Sequence, residues 1–173
     1  MAVLEIKQYP EAVLRRKAKP VEAVTPELQE LIDDMVETMY DAPGVGLAAP
    51  QIGISLRLAV IDVGLREEGT SRIYVLINPE FLSQEGEQED EEGCLSIHDY
   101  HANVKRFATV KVRATDRDGN SYEIEGEGLL ARALQHEIDH LNGMLFIDRL
   151  SPLKRDLFKR RYKKQMKEGS AAS

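Results

Sequence analysis

The chain has 173 residues, of which 42% are hydrophobic and 31% charged, with a formal charge of −7 and a single cysteine. That length is one domain's worth, 1–173, and buries a core without disulfides or an obligatory structural metal. No apolar run approaches a membrane span, the start Met1-Ala2-Val3-Leu4-Glu5 lacks a basic-then-apolar leader, and one thiol closes no internal disulfide. A membrane protein and a disulfide scaffold are excluded, and a reducing, cytoplasmic location is expected.

Thr25 followed by Pro26 reads as an N-cap and first helical position, and Leu28, Leu31, Ile32, Met35, Val36 and Met39 recur at helical spacing. This predicts an amphipathic helix ending near Asp41-Ala42-Pro43-Gly44, then a loop from Gly44 through Gly53. Strand-like runs follow at Leu58 to Asp62 and Ile73 to Asn78. Six of the eight residues from Glu85 to Glu92 are acidic, which predicts a solvated loop or exposed strand leading into Cys94. A calcium loop is the sharper alternative, but the alternating ligands and mid-loop glycine of an EF-hand are missing. Val104 to Thr115 alternates apolar and polar, and Asp116-Arg117-Asp118-Gly119-Asn120 turns it into Ser121 to Glu125, a β-hairpin.

Gly128 to Leu141 is apolar on several sides and should be a largely buried helix stopped at Asn142-Gly143. Ser151-Pro152 opens a last helix through about Lys167, with Leu153, Leu157, Phe158, Tyr162 and Met166 as its docking face and 169–173 as a frayed tail. From Pro152 onward eight Lys or Arg face two acids, a net +6 that leaves −13 on the rest of the chain. Such a basic helix reaches polyanions such as RNA, although a charge run is more often a solvated face. Mixed helices and antiparallel strands indicate an α+β fold.

The chemistry concentrates in His136-Glu137-Ile138-Asp139-His140. On a helix the two imidazoles lie on one face, able to hold a divalent metal, and Glu137 reaches a water beside it. A lone buried histidine is usually a hydrogen-bonded core residue. Here two imidazoles and a carboxylate on an apolar helix would be costly to desolvate without a cation or partners. Three protein ligands and one open position would make the site hydrolytic. Cys94 could be a small buried hydrophobe, yet acidic residues before it and Ser96 after it do not resemble a core strand. Asp148 and Asp156 are the other candidates for a third ligand and are poorly placed, one after a helix stop and one opening a basic helix.

Gly44-Val45-Gly46-Leu47-Ala48-Ala49-Pro50-Gln51, Glu92-Gly93-Cys94-Leu95-Ser96 and Gln135-His136-Glu137-Ile138-Asp139-His140 resemble, in order and spacing, the three signature segments of peptide deformylase. The likeness extends through Leu14-Arg15, Ile77-Asn78-Pro79, Asp116-Arg117-Asp118-Gly119 and Leu150-Ser151-Pro152-Leu153, and the helical C-terminus is similar to the bacterial form. The resemblance implies antiparallel sheets wrapped around a central helix bearing the histidines. It also implies Cys94, His136 and His140 as ligands of one divalent ion, iron(II) natively, with zinc, nickel or cobalt as substitutes. Ligand chemistry alone would point to zinc.

The implied reaction is removal of the N-formyl group from formyl-methionyl peptides, with Glu137 as the base and the Gln51 amide and Leu95 backbone N–H as oxyanion donors. Gly44 and Gly46 would allow close backbone approach, with Gly46 pairing to an extended peptide. Val45, Leu129, Ala133, the His136 ring and the stem of Arg132 would line a methionine pocket, residues that otherwise read as core. Glu92 would orient a ligand histidine and Arg106 would hold Glu92. The sequence departs from the family at Ile97-His98, where proline commonly follows Ser-Ile, so a stiff turn is expected to be missing; His98 and His101 read as solvated. The rival readings are an endopeptidase built on the same histidine motif and a non-catalytic, metal-stabilised module docking on ribosomal RNA. A combined reading has the enzyme use Lys154 to Lys167 to sit on the ribosome. Membrane and DNA are not expected partners.

Overall fold

The computed structural model describes residues 2–64 and 72–172. Its first helix, α1 (Pro26–Asp41), starts as the sequence dictates: the Thr25 hydroxyl accepts the Leu28 N–H at 3.1 Å and Pro26 occupies the first turn. The Gly-Ala-Pro segment expected as a loop instead holds a short strand, β1 (Gly46–Ala48), and a 3-10 turn (Ala49–Ile52). The strand forms because β2 (Leu58–Ile61) pairs with it antiparallel, Leu47 opposite Val60, a tertiary pairing that local propensity does not foretell.

β2 pairs in turn with β3 (Tyr74–Glu85), which runs seven residues beyond the predicted end at Asn78. Two one-residue irregularities let it continue past Pro79, one between Ile77 and Glu80, the other between Phe81 and Ser83. β4 (Gln88–Cys94) and β5 (Ile97–Arg106) form a separate two-stranded sheet. The acidic stretch is thus the exposed-strand alternative: Glu89, Asp90 and Glu91 face solvent, and Glu89 lies opposite Lys105. The alternating run Val104 to Thr115 is not one strand. It breaks at Phe107-Ala108, between β5 and β6 (Thr109–Thr115).

β6 forms the predicted hairpin with β7 (Ser121–Glu127), closed by Asp116, whose carboxylate accepts the N–H groups of Asp118 and Asn120, both at 2.9 Å. The larger sheet has the order β1-β2-β3-β6-β7. Alternation along β2 divides the core: Ala59 and Ile61 pack with Leu134, Ile138 and Leu141, while Leu58 and Val60 pack with Ile32, Met35 and Met39 of α1. The sheet therefore lies between α1 and the second helix, α2 (Gly128–Leu141), whose limits match the sequence prediction.

α2 stops at Asn142 and at Gly143, which has φ 77 and whose hypothetical Cβ would lie 2.5 Å from the Arg15 carbonyl oxygen. Both conformation and space require glycine there. The third helix, α3 (Pro152–Ala172), continues past Lys167 into the segment expected to fray, since no proline interrupts it; Ser173 lies outside the described residues. Its docking face is narrower than the sequence implies. Phe158 is 2% exposed and packs with Tyr9, Tyr100 and Tyr162, whereas Leu153, Leu157 and Met166 are 54–70% exposed. The helix touches the body along one edge only, so those three apolar residues have nothing to dock on. No helix of the described residues is long and apolar enough to cross a membrane.

Candidate metal centre and active site

α2 carries His136 and His140 one turn apart, and the end of β4 brings Cys94 to them. Their ligand atoms, the imidazole nitrogens and Sγ, all lie within 4.8 Å of one another. The Nε2 atoms of the histidines are 3.2 Å apart, and Cys94 Sγ is 3.4 Å from His140 Nε2. Two neutral imidazoles and a thiolate so converged form a donor set for a divalent ion of borderline softness. Burial lowers the proton affinity of His140, reinforced by the positive charge on His136. Burial also opposes charge on His136, but Glu137, Cys94 and Glu92 outweigh it and raise its pKa well above the ordinary value. The two imidazoles are thus pushed in opposite directions, and a bound cation would favour the neutral form of both.

Glu137 is 3% exposed, and its Oε1 has no hydrogen-bond partner among the described residues. Burial, chiefly, pushes its pKa up to about 7. A buried, unpartnered carboxylate oxygen beside three converging donors fits a bound cation with its water. Gly46 of β1 lies against the same carboxylate: a Cβ there would sit 2.5 Å from Glu137 Oε2.

The 3-10 turn after β1 aims Gln51 at the cluster. Its Oε1 accepts the Ala48 N–H at 2.9 Å, which orients the amide so that Nε2 donates to Ser96 Oγ at 3.2 Å and lies 3.6 Å from Cys94 Sγ. Leu95 follows Cys94 directly, with its carbonyl accepting from Gln8 at 3.0 Å and its side chain closing on Gly44. Val45 and Leu129 are half-buried against the core that contains Ala133. Arg132, whose stem is expected at a pocket rim, is 5% exposed with its guanidinium turned inward to pair with Glu92. A buried acid one strand away draws the cation in, because leaving either charge alone would be costly.

Glu92 stands at the centre of an ionic network. It accepts from His136 Nδ1 at 3.0 Å and from Arg106 twice, at 2.8 and 2.9 Å. Arg106 also donates to Asp139 at 2.6 Å, and Asp139 accepts from Arg149 at 2.8 and 3.1 Å. Burial alone would raise the Glu92 pKa; hydrogen bonds from Arg106 and His136 instead hold it well below the ordinary carboxylate range. A fixed carboxylate on Nδ1 leaves Nε2 of His136 as the ligating nitrogen.

Sequence reasoning missed Asp139, Arg149, Ser96 and Phe146, whose ring lies 6.4 Å from that of His136 at 23°. Asp139 had a legible signal, a carboxylate on an otherwise apolar stretch of helix. At the departure from the family pattern, β5 places four residues, His98 to His101, between the pairs Cys94↔Ile97 and Glu92↔Ala102, against only Gly93 in β4. Asp99 takes φ 57 there, His98 and His101 are exposed, and the His101 ring covers Gly93.

Comparison with known proteins agrees with this geometry. The family model for polypeptide deformylase matches residues 3–156. Peptide deformylases of Syntrophobacter fumaroxidans and Thermodesulfovibrio yellowstonii are 56% and 55% identical, covering 99% and 94% of this chain and 100% and 98% of their own lengths. Among solved structures, a peptide deformylase from Legionella pneumophila superposes with a TM-score of 0.88 at 52% identity, covering 98% of both chains. One from Ehrlichia chaffeensis in complex with actinonin gives 0.89 at 39% identity over 95% of this chain and 98% of that one. The chain belongs to the polypeptide deformylase family.

Proposed function

We propose that the chain, acting as one domain over 1–173, hydrolyses the N-formyl group from the formyl-methionine of nascent peptides, releasing formate, with iron(II) held by Cys94, His136 and His140. The observation that carries this reading is the buried Glu137 carboxylate oxygen without a partner, set beside three converging ligand atoms. When bound, the ion supplies Lewis acidity that polarises the formyl carbonyl and acidifies water.

Glu137 takes the proton from the attacking water and passes it to the leaving nitrogen; a carboxylate whose pKa is pushed up to about 7 suits both transfers. Gln51 Nε2, oriented through Ala48, and the Leu95 N–H donate to the developing oxyanion, a contribution of about 3–4 kcal/mol for one such donor. The outer edge of β1 is unpaired in the sheet order, which leaves Gly46 able to hydrogen-bond an extended substrate backbone. Gly44 keeps the approach open, and Val45, Leu129 and Ala133 give an apolar wall to an unbranched thioether side chain. Glu92, held by Arg106 and Arg132, fixes the ring of His136.

The test is formate release from formyl-Met-Ala by anaerobically purified protein beside Glu137→Ala, with metal measured on both. Activity in the wild type, lost in the variant with metal retained, supports the reading; metal without formate release in the wild type refutes it. We further propose that α3 docks on the ribosome. Lys154, Lys159, Arg160, Arg161, Lys163, Lys164 and Lys167 are all exposed on it. Ribosome binding that weakens steeply with salt and is lost on truncation after Ser151 supports this, and salt-independent binding refutes it.

A further inference from the structure

α2 turns a different face, Gln135 and Asp139, toward a second cavity of about 320 Å³. Phe81 and Phe107 supply its aromatic walls, and Lys105, Arg106, Arg149, Glu87 and Asp139 its charged lining. The irregularity between Phe81 and Ser83 leaves Phe81 half-buried beside it. Phe107 is 43% exposed, yet its backbone is pinned on both sides: its N–H donates to Gln135 Oε1 at 2.9 Å and its carbonyl accepts from Gln135 and Gln88 at 3.0 and 3.1 Å. An aromatic residue whose backbone is already fixed costs less further ordering on binding. Arg149 spends Nε and Nη2 on Asp139 and keeps its remaining nitrogen, and Lys105 Nζ engages no acceptor among the described residues.

We propose that this cavity binds a small organic monocarboxylate bearing a phenyl-sized apolar group, and that its occupancy alters the metal centre. The ring would lie between Phe81 and Phe107 and the carboxylate against Arg149 and Lys105. An anion taken by the remaining nitrogen of Arg149 draws that guanidinium toward the cavity and weakens its bonds to Asp139. Asp139 then leans more on Arg106, and Arg106 is the residue that grips Glu92, the acceptor for His136 Nδ1. The coupling rests on His136 being a metal ligand; the binding site does not. Of the two acids in the lining, Asp139 is already paired with Arg106 and Arg149, so Glu87 is the one whose charge opposes an anion.

The test uses the metal-loaded full chain with hydrocinnamate as probe, followed by ligand-observed NMR. Saturable binding is expected at millimolar concentration, weakened about two- to tenfold by Phe107→Ala and about two- to fivefold by Lys105→Gln, and tightened by Glu87→Gln. In cobalt-substituted protein, saturation should shift the visible absorption of the ion, and with formyl-Met-Ala it should lower kcat more than it changes KM. Absence of saturable binding, binding indifferent to both Phe107→Ala and Lys105→Gln, or weakening by Glu87→Gln overturns the site. An unmoved cobalt spectrum at saturation overturns the coupling. Failure to release formate, with the NMR and spectral results intact, would refute the deformylase reading and leave this one standing.

Discussion

Replacing Gly46 with alanine tests whether Glu137 does the proton work. The φ of Gly46 is outside the left-handed region, so alanine meets no backbone strain there. What it meets is the proposed base: the new methyl would lie 2.5 Å from Oε2, 2.9 Å from Cδ and 3.0 Å from Cγ of Glu137. Ordinary contact needs roughly 3.5 Å, so the carboxylate must move by about 1 Å. A displacement of that size costs about 10²-fold in rate, or about 2.7 kcal/mol of barrier. The expected outcome is kcat lowered about a hundredfold, with metal content kept because the three ligands are not touched. Gly44→Ala is the control, since its methyl meets only the movable end of Leu95 at 2.8 Å and should cost far less. Formate release and metal analysis on both variants decide it. If kcat for Gly46→Ala stays within a few-fold of wild type, or falls in step with metal loss, the reasoning is wrong.

Glu92→Gln should lower stability at neutral pH by about 3 kcal/mol, because buried Arg132 loses its counter-charge and Arg106 keeps only Asp139. The folded-state pKa of Glu92 is depressed, so its contribution is full above the unfolded value of about 4.3 and fades as pH falls through the folded one. Urea unfolding should therefore show the gap between wild type and variant narrowing below about pH 4; a constant gap would contradict the assignment. Phe158→Ala should destabilise by about 3–5 kcal/mol, and Leu157→Ala, at a site 54% exposed, by less than about 0.5 kcal/mol. Equal shifts in thermal melting would mean α3 docks by another face. Chelating the ion should leave the far-UV circular dichroism in place, since the three buried apolar clusters are built without it, while melting temperature falls and activity returns with iron(II). Loss of ellipticity on chelation would show the metal to be structural.

Much of this molecule was legible from local chemistry. Thr25-Pro26, Asn142-Gly143 and the Asp116 turn are read correctly because capping and turn geometry act within a few residues. The paired histidines are legible for the same reason, being one turn apart on a helix. What escaped depends on distant partners. β1 exists only because β2 lies beside it, and the extension of β3 past Pro79 depends on β6 accommodating two irregularities. The acidic run looks solvated from composition, and five of its six acids are exposed, but Glu92 turns inward where Arg106, Arg132 and His136 converge. No local pattern marks which of six acids is the buried one. Arg132 was opaque likewise: its charge is neutralised by Glu92, 40 positions away in sequence.

The placement of Cys94 in one sheet and the histidines on the helix that packs against the other has a mechanical consequence. An ion gripped by Cys94 and His140 ties together points 46 residues apart, much as a covalent bridge would. Closing a loop of that length in the unfolded chain is worth roughly 4 kcal/mol on the chain-entropy account of cross-links. With that ion bound, a protein with one thiol, barred from any internal disulfide, would gain a removable staple between its two layers.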